Sequence, residues 1–296
     1  QIMSPGPIDL HIHSAASDGA NTPAEIVELA VGKGLGAIAL TDHDTVSGLD
    51  EFMCSAKAHP ELAAVPGVEV SVTYRYSSIH ITGLFIDHSN KKLSDLLREI
   101  RTNRDTRNVQ IIRKLNDRGF KITLEEVEAV AAGESVGRPH FAKILIEKGY
   151  FKEPQEVFDK CLKRGAPCYV ARGLPTPEEA ICAIHEAGGL AFWAHPLHRS
   201  ESSESYVESV LDDFMLCGLD GIEAYDSTFS DIQQKLLLDT ARKYGIMVSG
   251  GSDFHGANQP GIHIGTGYGS MNIPYSVYDE LLRRRTEQSP AQAQQP

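Results

Sequence analysis

Residues 8–13 read Ile-Asp-Leu-His-Ile-His, and this alternation of apolar and polar residues is the starting point for the fold. In a β-strand the side chains at i and i+2 share a face, so Asp9, His11 and His13 point one way and the three apolar residues point the other. Two imidazoles side by side at a strand end are a ready pair of metal ligands. A His-Xaa-His pair alone is a weak signal, so its meaning depends on the rest of the chain.

Strand-like and helical segments alternate over the first ninety residues and again beyond residue 175. We predict strands at 7–12, 36–41, 63–71, 79–86, 190–194, 220–224 and 246–250, with helices at 22–33, 45–58, 176–187, 203–217, 229–244 and 275–285. Between the two halves the sequence predicts helices only, at 91–118, 123–132, 138–148 and 154–163. The pattern predicts an α/β barrel interrupted by a helical insertion rather than two sequential domains. The predicted divisions are a barrel at 1–90 and 172–288, an insertion at 91–171 and a disordered tail at 289–296.

Composition limits the class of protein. The 296 residues, 41% of them hydrophobic, suffice for one large α/β domain or a barrel with an insertion. We find no window of about eighteen apolar residues, so we expect no membrane span, and the N-terminal residues show no export signal. A net charge of −12 argues against capture of long duplex nucleic acid. Five scattered cysteines fit reduced thiols in a cytoplasmic protein.

Polar side chains collect where the predicted strands end, which is where parallel α/β barrels place their chemistry. They are His11, His13, Asp42, His43, Glu69, His195, Asp253 and His255, together with Asp18 on the first loop and His80 at the start of its strand. Each has an ordinary explanation when taken alone. A histidine in Ile-His-Ile is commonly a core residue, Asp42 could cap the next helix, and Glu69 could form a salt bridge at the strand end.

As a set, however, these ionisable groups at one barrel mouth would repel or desolvate one another without cations. Imidazoles mixed with carboxylates suit manganese, iron or zinc better than calcium or magnesium. Without Asp42, nine candidate ligands remain, and nine are too many for one ion. The sequence therefore predicts two or three divalent metal ions.

The motifs, in this order, resemble the polymerase and histidinol phosphatase (PHP) family of metal-dependent phosphoesterases. They are His11-Ile-His13 followed by Asp18, Thr41-Asp-His-Asp44, Gly67-Val-Glu69, His80-Ile81, His195-Pro196 and Gly251-Ser-Asp-Phe-His255. The resemblance covers residues 7–285 and implies a distorted (β/α)7 barrel with a trinuclear metal centre. It implies that one ion is held by His11, His13, Glu69 and Asp253, a second by Glu69, His80 and His195, and a third by Asp18, His43 and His255.

Such a centre predicts hydrolysis of a phosphoester without a protein nucleophile. Divalent ions lower the pKa of a bound water and neutralise phosphoryl oxygens, so the expected reaction is in-line attack of metal-bound hydroxide on phosphorus. The sequence has no Gly-Xaa-Ser-Xaa-Gly elbow and no cysteine in a phosphatase-like loop. The proton for the leaving alkoxide could come from a nearby histidine or from water, and the sequence does not distinguish between these two sources.

The predicted helix 91–118 carries arginines on its apolar face. At about 100° per residue the apolar stripe comprises Leu93, Leu97, Ile100, Ile111 and Leu115. Arg104 falls within this stripe, Arg107 near it and Arg101 at its edge, while Arg98 lies on the solvated face. A buried guanidinium needs an anion, which could be an internal carboxylate or a substrate phosphate. We favour a phosphate clamp, because Arg138 and His140 begin another predicted helix, whose N-terminus is a natural anion site.

These features resemble the PHP subgroup that includes nucleoside 3′,5′-bisphosphate phosphatases and 5′-to-3′ RNA-trimming enzymes. The substrate carries one phosphate that is not cleaved. The resemblance implies that this phosphate is bound by Arg104, Arg107, Arg138 and His140. The subgroup often has His-Pro-Xaa-Arg-Tyr where this chain reads His195-Pro-Leu-His-Arg199. Arg199 is therefore displaced by one position relative to the subgroup's arginine. His198 could make the substrate contact in its place, or could make no contact with the substrate. Arg101, His198 and Arg199 remain candidate contacts.

The sequence thus predicts a phosphatase that removes the 3′-phosphate of nucleoside 3′,5′-bisphosphates, with trimming of short RNA 5′ ends as a related activity. We expect its binding partners to be small phosphorylated substrates. We expect manganese to be the preferred metal ion, with iron or zinc as alternatives. A histidinol-phosphate or other sugar-type phosphatase is the second candidate, and it would not need the inward arginines. A non-catalytic PHP module is the third candidate. It would be expected beside polymerase sequence and often with eroded ligands, and this chain shows neither.

Overall fold

The structure is a computed structural model that describes residues 5–75, 77–131, 136–198 and 203–288. The chain divides into two compact units, one made of Gln1–Leu97 and Pro175–Pro296 and the other of Arg98–Leu174. Within the described ranges, no helix is long and apolar enough to cross a membrane. The predicted disordered tail and Arg199 lie outside the described residues.

Seven strands form one sheet of the first unit in chain order. They are β1 Ile8–Ile12, β2 Ala37–Leu40, β3 Ala63–Tyr74, β4 Ser77–Leu84, β5 Leu190–Trp193, β6 Gly221–Asp226 and β7 Met247–Gly251. Backbone hydrogen bonds from Asp253 N to His11 O (3.0 Å) and from His13 N to Phe254 O (2.9 Å) join the segment after β7 to β1. The sheet is therefore a nearly closed, distorted (β/α)7 barrel, as the sequence predicted.

Ten α-helices occupy the described residues. They are α1 Pro23–Gly32, α2 Leu49–Ala56, α3 Lys91–Asn116, α4 Leu124–Ala131, α5 Arg138–Glu147, α6 Pro154–Val157, α7 Pro177–Glu186, α8 Glu204–Leu216, α9 Asp231–Tyr244 and α10 Tyr275–Gln288. The predicted start of α1 is confirmed, because Thr22 Oγ1 accepts from Glu25 N at 3.2 Å and Glu25 Oε2 accepts from Thr22 N at 2.9 Å. The helix predicted at 154–163 ends instead as a π-helical segment, Phe158–Leu162.

Strand β4 is the distortion in the barrel. The other neighbours pair in parallel, whereas β4 is antiparallel to both β3 and β5. In this register Ser71 lies opposite His80 and Glu69 opposite Thr82. Because β4 runs backwards, its first residues lie at the edge where the parallel strands end. This explains why His80, in the first half of β4, reaches the same edge as the polar residues at the ends of parallel strands.

The two faces of β1 differ as the alternation predicted. Ile8 and Leu10 pack in an apolar cluster with residues such as Phe192 and Leu281, and all four are at most 1% exposed. His11 and His13 are equally buried but belong to the polar set described below. The helical unit has its own apolar core, which includes Ile111, Leu115, Val127, Phe141, Leu145 and Leu162.

Candidate metal centre

Four side chains from three strands or strand ends converge at the mouth of the barrel. His11 Nε2 and His13 Nε2 are 3.1 Å apart, and Glu69 Oε2 lies 3.3 Å from each of them. Asp253 Oδ1 lies 3.5 Å from His11 Nε2 and 3.2 Å from His13 Nε2. Donor atoms about 2.1 Å from a tetrahedral ion are about 3.4 Å from one another. The spacing of these four atoms fits the coordination sphere of one divalent ion.

The second oxygen of Glu69 faces a different pair of imidazoles. Glu69 Oε1 lies 2.8 Å from His80 Nδ1 and 2.8 Å from His195 Nε2, and those two nitrogens are 3.3 Å apart. One carboxylate thus presents one oxygen to each of two groups of donors. This is the arrangement of a bridging metal ligand.

A third group of donors surrounds Asp18. Its Oδ1 lies 3.4 Å from His255 Nε2, and its Oδ2 lies 3.7 Å from His43 Nε2. His13 and His43 also connect the groups, since His13 Nδ1 is 3.4 Å from Asp18 Oδ1 and His43 Nδ1 is 2.9 Å from Glu69 Oε2. All nine side chains predicted as ligands take part in four overlapping donor groups.

The polar atoms of the centre also fit a bound cation. Within the part of the chain that the structure describes, His13 Nδ1, His43 Nδ1 and Glu69 Oε2 are buried and have no hydrogen-bond partner. Their close approaches to charged neighbours lack hydrogen-bond geometry. A buried polar atom without a partner costs about 1–3 kcal/mol. A divalent cation would satisfy such atoms, and the mixture of imidazole and carboxylate donors suits a transition metal.

Charge within the centre shifts the pKa of its acids and bases. Burial opposes ionisation of Glu69, but the imidazoles of His43 and His80 hold its pKa well below the usual range. Burial also opposes ionisation of Asp253, and its hydrogen bond to His13 again holds the pKa well below the usual value. Burial opposes protonation of His11, yet the carboxylates of Glu223 and Glu69 raise its pKa well above 6.5. The centre therefore favours ionised carboxylates beside positive charge.

Glu223 on β6 is a buried carboxylate that our sequence reasoning missed. Its Oε1 accepts hydrogen bonds from His11 Nδ1 at 2.8 Å and from Thr82 Oγ1 at 2.7 Å, while its Oε2 accepts from the backbone N–H of His195 at 2.9 Å. The bond to Nδ1 leaves Nε2 of His11 as the nitrogen that faces the donor group. The signal was a glutamate inside the buried strand Gly221–Asp226, two residues after its start.

Two of the predicted ligands lie on a strained backbone. His195 has φ 30° and Asp253 has φ 56°, a region that side-chain-bearing residues seldom adopt. Hydrogen bonds hold both positions, from His195 N to Glu223 Oε2 at 2.9 Å and from Asp253 N to His11 O at 3.0 Å. Strain of this kind concentrates at functional sites.

Asp42 and His198 have other contacts. Asp42 accepts hydrogen bonds from Ser14 N and Ser14 Oγ, both at 2.7 Å. It therefore stabilises the first loop rather than capping a helix. His198 stacks on His195 with ring centroids 4.2 Å apart, and its Nε2 lies 2.8 Å from Asp226 Oδ2.

The predicted arginines lie in the helical unit. Arg104 and Arg107 are 8% and 5% exposed, so both are buried, whereas Arg98 is exposed and Arg101 intermediate. Arg107 donates to Asn108 Oδ1 at 2.8 Å and to Val136 O at 3.4 Å. Burial, followed by the nearby guanidiniums of Arg172 and Arg138, lowers the pKa of Arg107 to about 10.

Arg138 and His140 begin helix α5. Arg138 donates to Leu162 O at 3.2 Å, and its guanidinium carbon lies 5.8 Å from the ring centre of Tyr169. His140 Nδ1 accepts from Gly137 N at 2.9 Å, so this side chain caps the helix. Arg172 is a further cationic neighbour that the sequence reasoning missed, because it lies outside any helical pattern.

Comparisons with known proteins show which family the chain belongs to. The sequence profile of the PHP domain matches residues 9–167. The chain is 36% identical to a 3′,5′-nucleoside bisphosphate phosphatase of Chromobacterium violaceum, over 94% of this chain and 97% of that protein. It is also 36% identical to a 5′-3′ exoribonuclease of Haemophilus influenzae, over 83% of this chain and 89% of that protein.

Among solved structures, an amidohydrolase from Chromobacterium violaceum with bound sulfate superposes with a TM-score of 0.76 at 33% identity, covering 94% of this chain and 96% of that one. A metal-dependent phosphoesterase from Bifidobacterium adolescentis, described as putative, gives a TM-score of 0.74 at 28% identity over 95% and 97% of the two chains. The chain belongs to the PHP domain family, and it is a metal-dependent phosphoester hydrolase.

Proposed function

We propose that this hydrolase removes the 3′-phosphate of nucleoside 3′,5′-bisphosphates and that it also trims the 5′ ends of short RNA. The observation that carries the proposal is the pair of donor groups on the two oxygens of Glu69. Two relatives at 36% identity are named for these activities, and they match the chain over most of its length. A cytoplasmic location belongs to the same proposal and rests on the five free thiols of the chain, all of them described.

The nine side chains are proposed to hold three divalent ions, with manganese preferred. His11, His13, Glu69 and Asp253 would hold one, Glu69, His80 and His195 the second, and Asp18, His43 and His255 the third. Bound ions of this kind lower the pKa of water and neutralise phosphoryl charge. The protein's part is to orient these donors, through Glu223 for His11 and through backbone hydrogen bonds for His195 and Asp253.

The buried arginines are proposed to bind the phosphate that is not cleaved. Arg104 and Arg107 lie on the apolar face of α3, and the guanidiniums of Arg138 and Arg172 act on Arg107 closely enough to lower its pKa. A guanidinium cluster of this kind attracts an anion with two or more negative charges. His140 is proposed to bind the same phosphate, and Arg101 and His198 stay candidate contacts of the substrate.

A substrate comparison tests the proposed reaction. Manganese-loaded protein is given adenosine 3′,5′-bisphosphate, 5′-AMP, histidinol phosphate and a 5′-phosphorylated short RNA, and phosphate or nucleotide release is measured. We expect the highest kcat/KM for the bisphosphate. Asp253→Ala should remove turnover without unfolding the chain, as circular dichroism would show, and Asp279→Ala, at an exposed position, is the matched control. Preference for histidinol phosphate would overturn the substrate assignment.

The arginines separate a nucleotide bisphosphatase from a sugar-type phosphatase. Arg104→Ala and Arg107→Ala should each raise KM for the bisphosphate by about tenfold or more, the equivalent of about 1.4 kcal/mol. Arg98→Ala, on the exposed face of the same helix, is the control and should leave KM unchanged. An equal, small change of KM in all three variants would favour a sugar-type phosphatase.

A further inference from the structure

A cleft of about 210 Å³ opens beside the metal centre within the barrel unit. His80 and His195, the two imidazoles at Glu69 Oε1, form part of its wall. The remaining wall is largely apolar and comes from Ile79, Trp193, Pro196 and Tyr206. A ligand in the cleft would therefore touch both the candidate metal ligands and an aromatic surface.

The aromatic part of the wall is fixed by packing. Trp193, at the end of β5, contacts Tyr206 edge-on with ring centroids 6.2 Å apart and packs against Phe214 at 5.7 Å. Trp193 is only 2% exposed, while Tyr206 on α8 is intermediate in burial. Tyr206 is therefore the aromatic side chain that offers free surface to a ligand.

His198 borders the same cleft in a fixed orientation. Its Nε2 lies 2.8 Å from Asp226 Oδ2, and Asp226 Oδ1 in turn accepts from Thr228 N at 2.7 Å. The ring also stacks on His195. These contacts hold a flat polar ring at the border of the apolar wall.

The chemistry of the wall selects the kind of ligand. Among the described residues that line the cleft there is no Lys, Arg, Asp or Glu. Apolar and aromatic walls with a few polar ring atoms suit a flat, neutral heterocycle. Stacking of a nucleobase on an aromatic side chain tolerates different bases, because every base has a π face.

We propose that this cleft is the subsite for the nucleobase of the substrate, with Tyr206 as the stacking residue. The proposal rests on the proposed function, since it assumes a nucleotide substrate with a phosphoryl group at the neighbouring metal centre. It adds that the enzyme recognises the base, so a phosphorylated ribose without a base is a poorer ligand.

The chain offers a direct optical readout, because Trp193 is its single tryptophan and lies in the cleft wall. The full-length, zinc-loaded protein is titrated with 5′-AMP and with ribose 5-phosphate, which carries the same phosphate but no base. We expect 5′-AMP to change Trp193 emission with saturation, and ribose 5-phosphate to change it little. Tyr206→Ala should weaken 5′-AMP binding by at least about fivefold, since base stacking on an aromatic ring contributes at this level.

Two variants keep the test interpretable. Tyr206→Phe retains the ring and should bind 5′-AMP like the parent protein, and Tyr268→Ala, a 59% exposed tyrosine, should have no effect. In steady-state assays Tyr206→Ala should raise KM for adenosine 3′,5′-bisphosphate more than it lowers kcat. Equal Trp193 responses to the two ligands, or an unchanged 5′-AMP affinity in Tyr206→Ala, would overturn the subsite while leaving a nucleotide phosphatase in place. Loss of all nucleotide turnover in the parent protein would instead overturn the proposed function.

Discussion

At the residue scale, the metal centre depends on two carboxylates, and the two oxygens of each carboxylate contact different groups. Glu69 Oε2 faces His11 and His13, and Glu69 Oε1 faces His80 and His195. Glu223 divides in the same way, with Oε1 toward His11 and Oε2 toward the backbone of His195. Each carboxylate therefore couples two groups of donors, and neither role can be taken over by a residue with one acceptor.

Glu223→Gln is the sharpest test at this scale. The amide keeps one acceptor oxygen but places an NH₂ group where the other oxygen accepted a hydrogen bond, so either His11 or His195 loses its partner. Loss of such an outer partner typically weakens metal binding by about 10–100-fold. Manganese affinity measured by titration calorimetry should fall in this range, while exposed Glu178→Gln should bind like the parent protein. Unchanged affinity in Glu223→Gln would show that Glu223 does not position the ligands.

At the element scale, strands β7 and β1 approach each other closely at the point where the barrel closes. Gly251 ends β7, and a Cβ at this position would overlap the backbone nitrogen and the Cβ of His11 on β1. Only glycine lets the two strands approach so closely. The position of His11 in the metal centre therefore depends on a residue that carries no side chain.

We expect Gly251→Ala to lower the free energy of unfolding by about 1–3 kcal/mol and to weaken metal binding, because β7 must move away from His11. Gly32→Ala is the matched control. A Cβ at Gly32 meets no described atom within 4 Å, so this change at the end of α1 should be neutral or slightly stabilising. Urea unfolding with and without manganese measures both effects. Equal stabilities of the two variants would contradict close contact between β7 and β1.

At the scale of the whole molecule, the centre links stability to pH. The pKa is raised in the metal-free chain for His11, His13, His43, His195 and His255. A raised histidine pKa contributes stability that is complete below 6.5 and is lost as pH rises through the folded value. The lowered pKa values of Glu69 and Asp253 contribute stability that is present above 4.5 and 3.8 and is lost as pH falls through the folded values. His80, whose pKa is lowered by burial, acts against the other histidines.

The metal-free protein should therefore be most stable between about pH 4.5 and 6.5, and its melting temperature should fall as the pH rises above 6.5. Metal binding replaces protons on the histidines, so the rise in melting temperature on adding manganese should grow over the same interval. Thermal unfolding with chelator or with manganese across this pH range provides the measurement. A metal-free melting temperature that increases above pH 6.5 would contradict the assigned direction of the histidine pKa values.

Much of the fold and site follows from local pattern. The alternation in β1, the capping box of Thr22 and the stripe of α3 each depend on neighbours within a few residues, and the structure has each of them. Most of the nine candidate ligands could be predicted for the same reason, since they belong to short motifs near strand ends. Their grouping around particular ions came from a family resemblance and stays a proposal.

What the sequence alone determined is which side chains share a face of a strand or helix, because that depends only on backbone periodicity. Only the tertiary structure decided that β4 runs antiparallel, that Glu69 faces two groups of donors, and that Glu223 holds His11 and His195. Several of these contacts join residues more than a hundred positions apart, such as Glu69 with His195 and Glu223 with His11. Their geometry is set by strand register and barrel closure, for which no short stretch of sequence carries a signal.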